Sequence, residues 1–500
     1  MTHKSKLVVI GNGMAGARFV EEVIARRGNE RFEIVVFGAE PYGNYNRILL
    51  SGVLSGQHHP RDILINPLSW YVENDVKLHA GVRVVEIDRA AKLVHGEGDV
   101  TESYDQLVIA TGSRPFMPPL AGISSNATAG WKEGLFVFRT LDDCDSIMKY
   151  AAVVRKVAVI GGGLLGLEAA YGLFKMGLEV HVIHLMSHLM ETQLDAAAGE
   201  VLKGVLKKMG IHIHLEKVTT AVRGDEQVTG LTFEDGSTLE CDMVVISAGI
   251  RPNAELARQA GLTVERGIVV GDDLACQGDP DVYALGECAQ HRGQLYGLVA
   301  PLWEQASILA DRLTGCNPQA IYEGSHVSTK LKVMGIELAV MGEKEASHPE
   351  DEVVIYSDQA HGIYKKLVVR EGRLIGAILL GEGTMTPKVF QAFDRASELP
   401  YNRAELLFPL TWEAPPAVLA TSLPETARIC DCNGVSKGAI VAAIKRGCGT
   451  LKQVSDATRA GTGCGSCQNH IQALLEAEAP STAETLSVRT REKESVMRDS

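Results

Sequence analysis

The chain of 500 residues lacks several features that would direct its reading elsewhere. Positive charge is not in excess: 49 Lys and Arg stand against 62 Asp and Glu, a net charge of −13, whereas a nucleic-acid partner needs a basic face. No uninterrupted apolar run reaches the roughly 18 residues of a transmembrane helix, so no membrane span is expected. A secretory leader is not expected either, because the apolar stretch after Lys4 and Lys6 breaks into glycines within a few residues, as a strand entering a turn does. Nor do the ten cysteines read as a disulfide framework: Cys430, Cys432, Cys464 and Cys467 crowd together and the rest are scattered. That pattern suits ligation in a reducing cytoplasm. Length alone predicts three or four domains at about 150 residues each.

Against those absences, the opening stretch is rich in signal. Leu7 to Ile10 form a continuous apolar run, as in a parallel strand buried on both faces, and lead into Gly11, Gly13 and Gly16. The first glycine makes a tight turn, the second lets backbone N–H groups approach a pyrophosphate, and the third lets a helix pack close to the strand. A second strand, 34 to 37, ends near Glu40, placed to accept from a ribose hydroxyl. Arg47 in the polar loop that follows reads equally as a cofactor contact or as a surface ion pair. Strand segments surround Val84 and Ile87, and another buried strand, 107 to 110, ends in Thr111 and Gly112.

The theme then repeats. Residues 157 to 160 run into Gly161, Gly162, Gly163 and Gly166, with Glu168 just inside the next helix, and a second strand covers 180 to 183. Two such cradles predict two dinucleotides. Where an acid or an arginine would select between NADH and NADPH, His184 stands, and the preference stays open. Strands ending in Gly249 and in Gly286 with Glu287 add hydroxyl acceptors, with a dipole-complementing acid as the alternative for Glu287. Residues 300 to 313 read as a helix with Trp303 in its first turn, whose N-terminus would stabilise negative charge on a reduced flavin. From about residue 328 to 380 the pattern is strand-rich, with a hairpin turning at Glu371-Gly372. Pro409, Pro415, Pro416 and Pro424 mark a tether, and the polar residues from 481 onward an unstructured tail.

The cysteine module comes between. Cys430 and Cys432 are one residue apart, Cys464 and Cys467 two, and helical patterns over 436–447 and 450–461 separate the pairs. Cys464 and Cys467 sit at the start of a third helix, 468 to 476, where unpaired N–H groups favour thiolates. Four thiolates suit zinc or an iron–sulfur cluster, with [2Fe–2S] favoured by the spacing. Cys448 reads as a small apolar residue.

Residues 1 to about 320 resemble the two-dinucleotide flavoprotein reductases, through Gly11-Asn12-Gly13-Met14-Ala15-Gly16, Ala110-Thr111-Gly112, Gly161 to Gly166 and Leu285-Gly286-Glu287. Tyr45 to Ser51, His184-Leu185-Met186 with Leu194-Asp195, Leu298 to Pro301 and Ser328 to Val333 are similar to the reductase half of assimilatory NAD(P)H nitrite reductase large subunits. Cys430 to Val435 and Gly461 to Cys467 resemble the bacterioferritin-associated-ferredoxin type of [2Fe–2S] domain. The resemblance implies an α/β fold with two Rossmann-like domains, a small α+β domain and a small helical cluster domain. Its implied segments are 1–115 with 246–320 for FAD, 116–245 for NAD(P)H, 321–408, a linker over 409–426, the cluster over 427–478 and a tail over 479–500. The implied cofactors are FAD, NAD(P)H and [2Fe–2S]. Gly11, Gly13, Ala15, Gly16, Glu40, Arg47, Val84, Thr111, Gly112, Gly249, Gly286, Glu287 and Trp303 are expected around one dinucleotide. Gly161, Gly163, Gly166, Glu168 and His184 are expected around the other, and the four module cysteines around the metal.

In that nitrite reductase family a sirohaem half follows the cysteine domain, whereas neither it nor a molybdenum half is expected in these 500 residues. The resemblance therefore implies an electron-transfer subunit serving a separate molybdenum or sirohaem nitrate or nitrite reductase. Disulfide-reductase chemistry is not expected, since no paired redox cysteine lies in residues 40 to 55 or at Cys144. Gly52 stands where oxygenase-type ferredoxin reductases carry a lysine, so a lysine partner for Glu168 is not expected either. No catalytic residue is expected beyond positioning. The alternatives are a general NAD(P)H-dependent ferredoxin or rubredoxin reductase, and an FAD-binding, zinc-stapled regulatory or assembly protein.

Overall fold

The computed structural model describes residues 4–124, 130–325, 328–333, 335–408, 420–463 and 465–478. They divide into two compact units, the first spanning Met1–Thr329 with Val333–Ile336 and Tyr356–Tyr364, the second holding the remainder. No helix among the described residues is long and apolar enough to cross a membrane.

The first unit is built on two sheets. The opening strand, Ser5–Ile10, lies parallel between Phe32–Gly38 and Gln106–Ile109, which explains why Leu7 to Ile10 can all be apolar: each is 0–4% exposed. Burial of such side chains stabilises by roughly 1.5–3 kcal/mol apiece. Asp279–Ala284 pairs parallel on the far side of Gln106–Ile109, and Val76–Ala80 closes the other edge. Chain from both before and after the second sheet therefore builds the first. That second sheet runs Leu135–Val137, Met243–Ile246, Lys156–Ile160, Glu179–Ile183, His212–His214, all parallel. The chain crosses between the two sheets at Ser113–Pro115 and returns at Ile250–Pro252, and these segments pair antiparallel.

The helix expected over 300–313 runs Val299–Thr314, so Pro301 falls in its first turn, where a missing N–H leaves no hydrogen bond unmade. Its buried residues Pro301, Leu302, Gln305, Ala306, Leu309, Ala310 and Leu313 follow helical spacing and pack on the helix Met14–Ala25.

The expected hairpin forms between Ile363–Arg370 and Arg373–Leu380, and from Lys365 onward it belongs to the second unit. Glu371 and Gly372 both have positive φ, 50° and 72°, the geometry of the two-residue turn that matches strand twist. Ile336–Gly342 pairs with Arg373–Leu380, and Val389 and Phe390 of the helix Thr386–Arg395 share a core with Leu367, Val369 and Ala377.

The cysteine module contains a short pairing of Arg428–Cys430 with Val435–Ser436 and the helices Lys437–Lys445, Leu451–Thr458 and Gln468–Glu478. Ser436 and Thr450 cap the first two by accepting from Ala439 N–H and Gln453 N–H at 3.3 and 3.2 Å. Residues 420–426, read from the sequence as the end of a linker, depart from that reading. Ala420 and Leu423 are buried with Ala427, Ile440 and Ile471, and Lys437 donates to the carbonyls of Thr421 and Leu423. An apolar residue every three or four positions suffices to recruit the segment to the module core, whatever Pro424 does to its backbone. The tether residues 409–419, the tail from 479 and Cys464 lie outside the described residues.

Candidate functional site

Both glycine turns have one geometry. Gly11 has φ 116° and Gly161 φ 127°, and a Cβ at either would stand 2.1–2.2 Å from a carbonyl oxygen, of Ala110 or of Ser247. At Gly16 and Gly166 a Cβ would meet the carbonyl oxygen of Gly11 or of Gly161 at 2.0 and 2.1 Å. These four glycines are required by close packing of strand, turn and helix. Gly13 and Gly163 differ: each precedes a helix without a side-chain cap, and a Cβ there meets nothing within 4 Å. Open space therefore fronts the unpaired N–H groups of the two helix starts, Met14–Ala25 and Leu164–Lys175, as a pyrophosphate requires.

Around the first turn, a donor is left over. The Asn12 side chain accepts from the Tyr71 hydroxyl at 2.6 Å through Oδ1, while its buried Nδ2 has no partner among the described residues and faces Gly38, at the end of the second strand. Trp303 Nε1 is likewise buried and unpartnered. Glu40 accepts from the Tyr45 hydroxyl at 2.7 Å and from Arg47, which also donates to the Arg139 carbonyl at 2.8 Å. Arg47 is thus held in a half-buried ion pair beside the site, and its guanidinium lies 4.8 Å over the Tyr45 ring. Val84 starts the strand Val84–Asp88; just before it, Val82 N–H donates to the Gly38 carbonyl at 2.9 Å and Gly81 N–H to the Glu40 backbone carbonyl at 3.0 Å.

The other expected contacts converge from three chain segments. Thr111 Oγ1 donates to the Asn253 carbonyl at 2.7 Å, Gly112 has φ 66° and Gly249 φ 106°, and at both a Cβ would meet nothing within 4 Å. Gly286 N–H donates to the fully buried Gln305 at 2.9 Å, and a Cβ on Gly286 would press on Ala15 at 2.9 Å. Ala15 therefore matters as a small residue under that turn. Glu287 accepts from Ser113 Oγ at 2.6 Å and from Arg139. Sequence reasoning did not identify Asn12, Arg139, Ser113 or Gln305. Asn12 alone carried a local signal, its place inside the glycine turn.

At the second turn, His184 is buried and points inward. Gly162 N–H donates to its Nδ1 at 3.1 Å, which leaves the ring proton on Nε2, 3.0 Å from Glu191 Oε2. The ring thereby braces the glycine turn, and Leu185 and Met186 are the exposed residues that follow. Glu168 sits half-buried on the second turn of the helix Leu164–Lys175.

In the cysteine module the sulfurs of Cys430 and Cys432 are 3.7 Å apart, and Asn433 Nδ2 lies 3.6 and 3.7 Å from them. Gly463 presses on Cys432, since a Cβ there would stand 2.2 Å from its sulfur. Hydrogen bonding to Cys432 and Cys467 drives the Cys430 thiol far below its ordinary range. Burial instead pushes Cys144 and Cys241 up to about 12. Thiolate character is therefore favoured at Cys430, within the module where a cationic metal centre would be held. Cys448 packs partly buried against the module core. Cys144 is fully buried with its thiol toward the Leu50 carbonyl at 3.7 Å, an inert position.

Comparisons agree with this geometry. Residues 5–306 match the pyridine nucleotide-disulphide oxidoreductase model, 328–396 the C-terminal domain of rubredoxin NAD+ reductase, and 428–477 the BFD-like [2Fe-2S] binding domain. The chain is 42% identical over 475 residues to a nitrite reductase [NAD(P)H] of Bacillus subtilis, covering 95% of this chain and 58% of that one. It is 40% identical over 473 residues to the assimilatory nitrate reductase electron transfer subunit of the same organism, covering 94% and 59%. The chain thus spans less than two thirds of the length of these relatives. Among solved structures, a ferredoxin reductase from Rhodopseudomonas palustris superimposes with a TM-score of 0.67 at 26% identity, over 76% of this chain and 91% of that one. The cofactors are accordingly FAD, NAD(P)H and a [2Fe–2S] cluster. With two matched glycine cradles and a family model that covers most of its length, the chain belongs to the pyridine nucleotide-disulphide oxidoreductase family.

Proposed function

We propose that the chain is a cytoplasmic, NAD(P)H-oxidising electron-transfer component that feeds single electrons to the catalytic subunit of an assimilatory nitrate or nitrite reductase, a molybdenum or sirohaem protein. One observation carries the reading: two dinucleotide cradles and a thiolate module share a chain that is 40% identical, over 94% of its length, to an assimilatory nitrate reductase electron transfer subunit. When bound, NAD(P)H supplies a hydride, FAD accepts two electrons, and [2Fe–2S] hands them on one at a time.

The chain's own residues bind and orient. In this reading Gly11, Gly13 and Gly16, with Glu40, Asn12, Thr111, Gly112, Gly249 and Glu287, hold FAD between segments 1–115 and 246–320. Gly161, Gly163 and Gly166 hold NAD(P)H on 116–245, and His184 keeps the turn in shape from behind. Cys430, Cys432, Cys464 and Cys467 hold the cluster, and Asn433 donates toward two of its sulfurs. Arg139 and Ser113 hold the Glu287 carboxylate in place.

Anaerobic purification should yield about one flavin and two irons per chain, and added NADH or NADPH should bleach both chromophores. A molybdenum or sirohaem reductase should then turn over with this chain as its sole electron donor. A colourless, iron-free protein, or one that reduces neither catalytic subunit, refutes the proposal. A second reading, an NAD(P)H-dependent rubredoxin or ferredoxin reductase, is favoured by the match of residues 328–396 to the rubredoxin NAD+ reductase C-terminal domain. Faster reduction of rubredoxin than of either nitrogen-oxide reductase would select it.

A further inference from the structure

On the second sheet, Glu179–Ile183 lies parallel to the edge strand His212–His214, with His181 opposite His212. Side chains two apart on a strand share a face, so Glu179, His181, His212 and His214 gather on one side of the sheet edge. His181 is buried, whereas Glu179 and His212 are exposed. His181 Nε2 lies 2.9 Å from Glu179 Oε1, and its Nδ1 lies 2.9 Å from His214 Nε2. The His181 and His212 rings stack with centroids 4.5 Å apart. One carboxylate oxygen of Glu179 and one ring nitrogen each of His181 and His212 fall within 4.8 Å of one another. Neither glycine cradle uses these groups, since the nucleotide ends of the strands lie beyond Ile160 and Ile183.

We propose that Glu179, His181 and His212 form a binding site for a divalent ion of the zinc class, with His214 as the support behind His181. Two imidazoles and a carboxylate are the donors that Zn2+, Co2+, Ni2+ and Cu2+ accept, whereas Mg2+ and Ca2+ prefer oxygen alone. An ion on Nε2 of His181 leaves the ring proton on Nδ1, donated to His214 Nε2, which is the usual way a ligating imidazole is oriented. Bonds of about 2.0–2.1 Å place ligand atoms roughly 3.4 Å apart. Glu179 Oε1, already 2.9 Å from His181 Nε2, must therefore ease back by about 0.5 Å, while the exposed His212 ring must turn out of its stack and bring a nitrogen in from within 4.8 Å by up to about 1.4 Å, on that same bond-length arithmetic. Lys156 Nζ, 3.0 Å from Glu179 Oε1, is the resident cation that the ion displaces. Three protein ligands at an exposed edge leave a position for water, as in an exchangeable site.

The test uses the full holoprotein with its cluster loaded. After loosely held metal is removed on a chelating resin, ZnCl2 is titrated in buffer containing millimolar Mg2+, and zinc and iron per chain are measured together. Glu179→Gln and His212→Gln change exposed side chains, and thermal midpoints confirm that the variants fold. One zinc per chain should bind with iron content unchanged, each of these variants should weaken it at least tenfold, and His214→Gln by about 10–100-fold. Zinc uptake that persists in the double variant, that tracks loss of iron, or that is absent up to millimolar zinc overturns the proposal.

Discussion

Gly163 separates what a glycine does for folding from what it does for a ligand. Its φ of −80° and ψ of 179° are open to any residue, and an added Cβ meets nothing within 4 Å. Alanine there should therefore fold, and by reducing the freedom of the unfolded chain should stabilise it by about 0.4–1 kcal/mol. The methyl, however, enters the space in which a pyrophosphate reaches the first N–H groups of the helix Leu164–Lys175. Loss of one hydrogen bond to a charged group costs about 1.5–3 kcal/mol, a factor of roughly 10–150 in affinity. Gly204, inside the helix Ala196–Met209 and also free of neighbours within 4 Å, is the control: Gly204→Ala should gain about 0.5–1 kcal/mol and leave nucleotide binding alone. Gly166→Ala, whose Cβ would sit 2.1 Å from the Gly161 carbonyl, should instead lose stability. Urea unfolding measures the first quantity, and the NADH and NADPH dependence of flavin bleaching in a stopped-flow instrument the second. A Gly163→Ala protein that folds normally and binds both nucleotides as tightly as the parent would refute the assignment of this turn.

Two further expectations concern charge. Burial alone would raise the Glu102 carboxyl, but Lys6, Lys77 and His79 outweigh it and hold the group at about 2. A depressed folded value contributes stability above the unfolded pKa and loses it as pH falls through the folded one, here between about pH 4.5 and 2. Glu102→Gln should therefore cost about 2–3 kcal/mol at pH 7, with a gap to the parent that narrows across that window in urea titrations; a gap independent of pH contradicts the assignment. Asn433→Leu removes the donor aimed at the sulfurs of Cys430 and Cys432 and should lower the cluster's midpoint potential with iron content intact. An unchanged potential in redox titration with the cluster loaded would show that this donor does not reach it.

Much of the site was readable one segment at a time. A turn that needs φ above 100° at Gly11 and Gly161, or a helix packed so close that a Cβ at Gly16 or Gly166 would meet a carbonyl oxygen at 2.0–2.1 Å, leaves its mark at fixed spacing, because the constraint acts between residues a few positions apart. Cap residues Ser436 and Thr450 and the turn at Glu371-Gly372 were readable for the same reason. Arg47 was the exception that local chemistry left undecided, since a guanidinium suits an ion pair as well as a phosphate. His184, expected beside the nucleotide, accepts from Gly162 N–H, a partner set by the turn packed against it and not by its neighbours in sequence.

By itself, then, the sequence determined the two nucleotide cradles, the thiolate module and the family they belong to, because backbone geometry and ligand spacing are local. Only the tertiary structure decided that Arg139 ties down Glu287 across 148 positions, that Asn12 keeps a donor spare, and that three histidines from two strands share one face with Glu179. Those neighbours are chosen by sheet order and register, and no window of sequence contains both sides of a contact that the fold alone brings together.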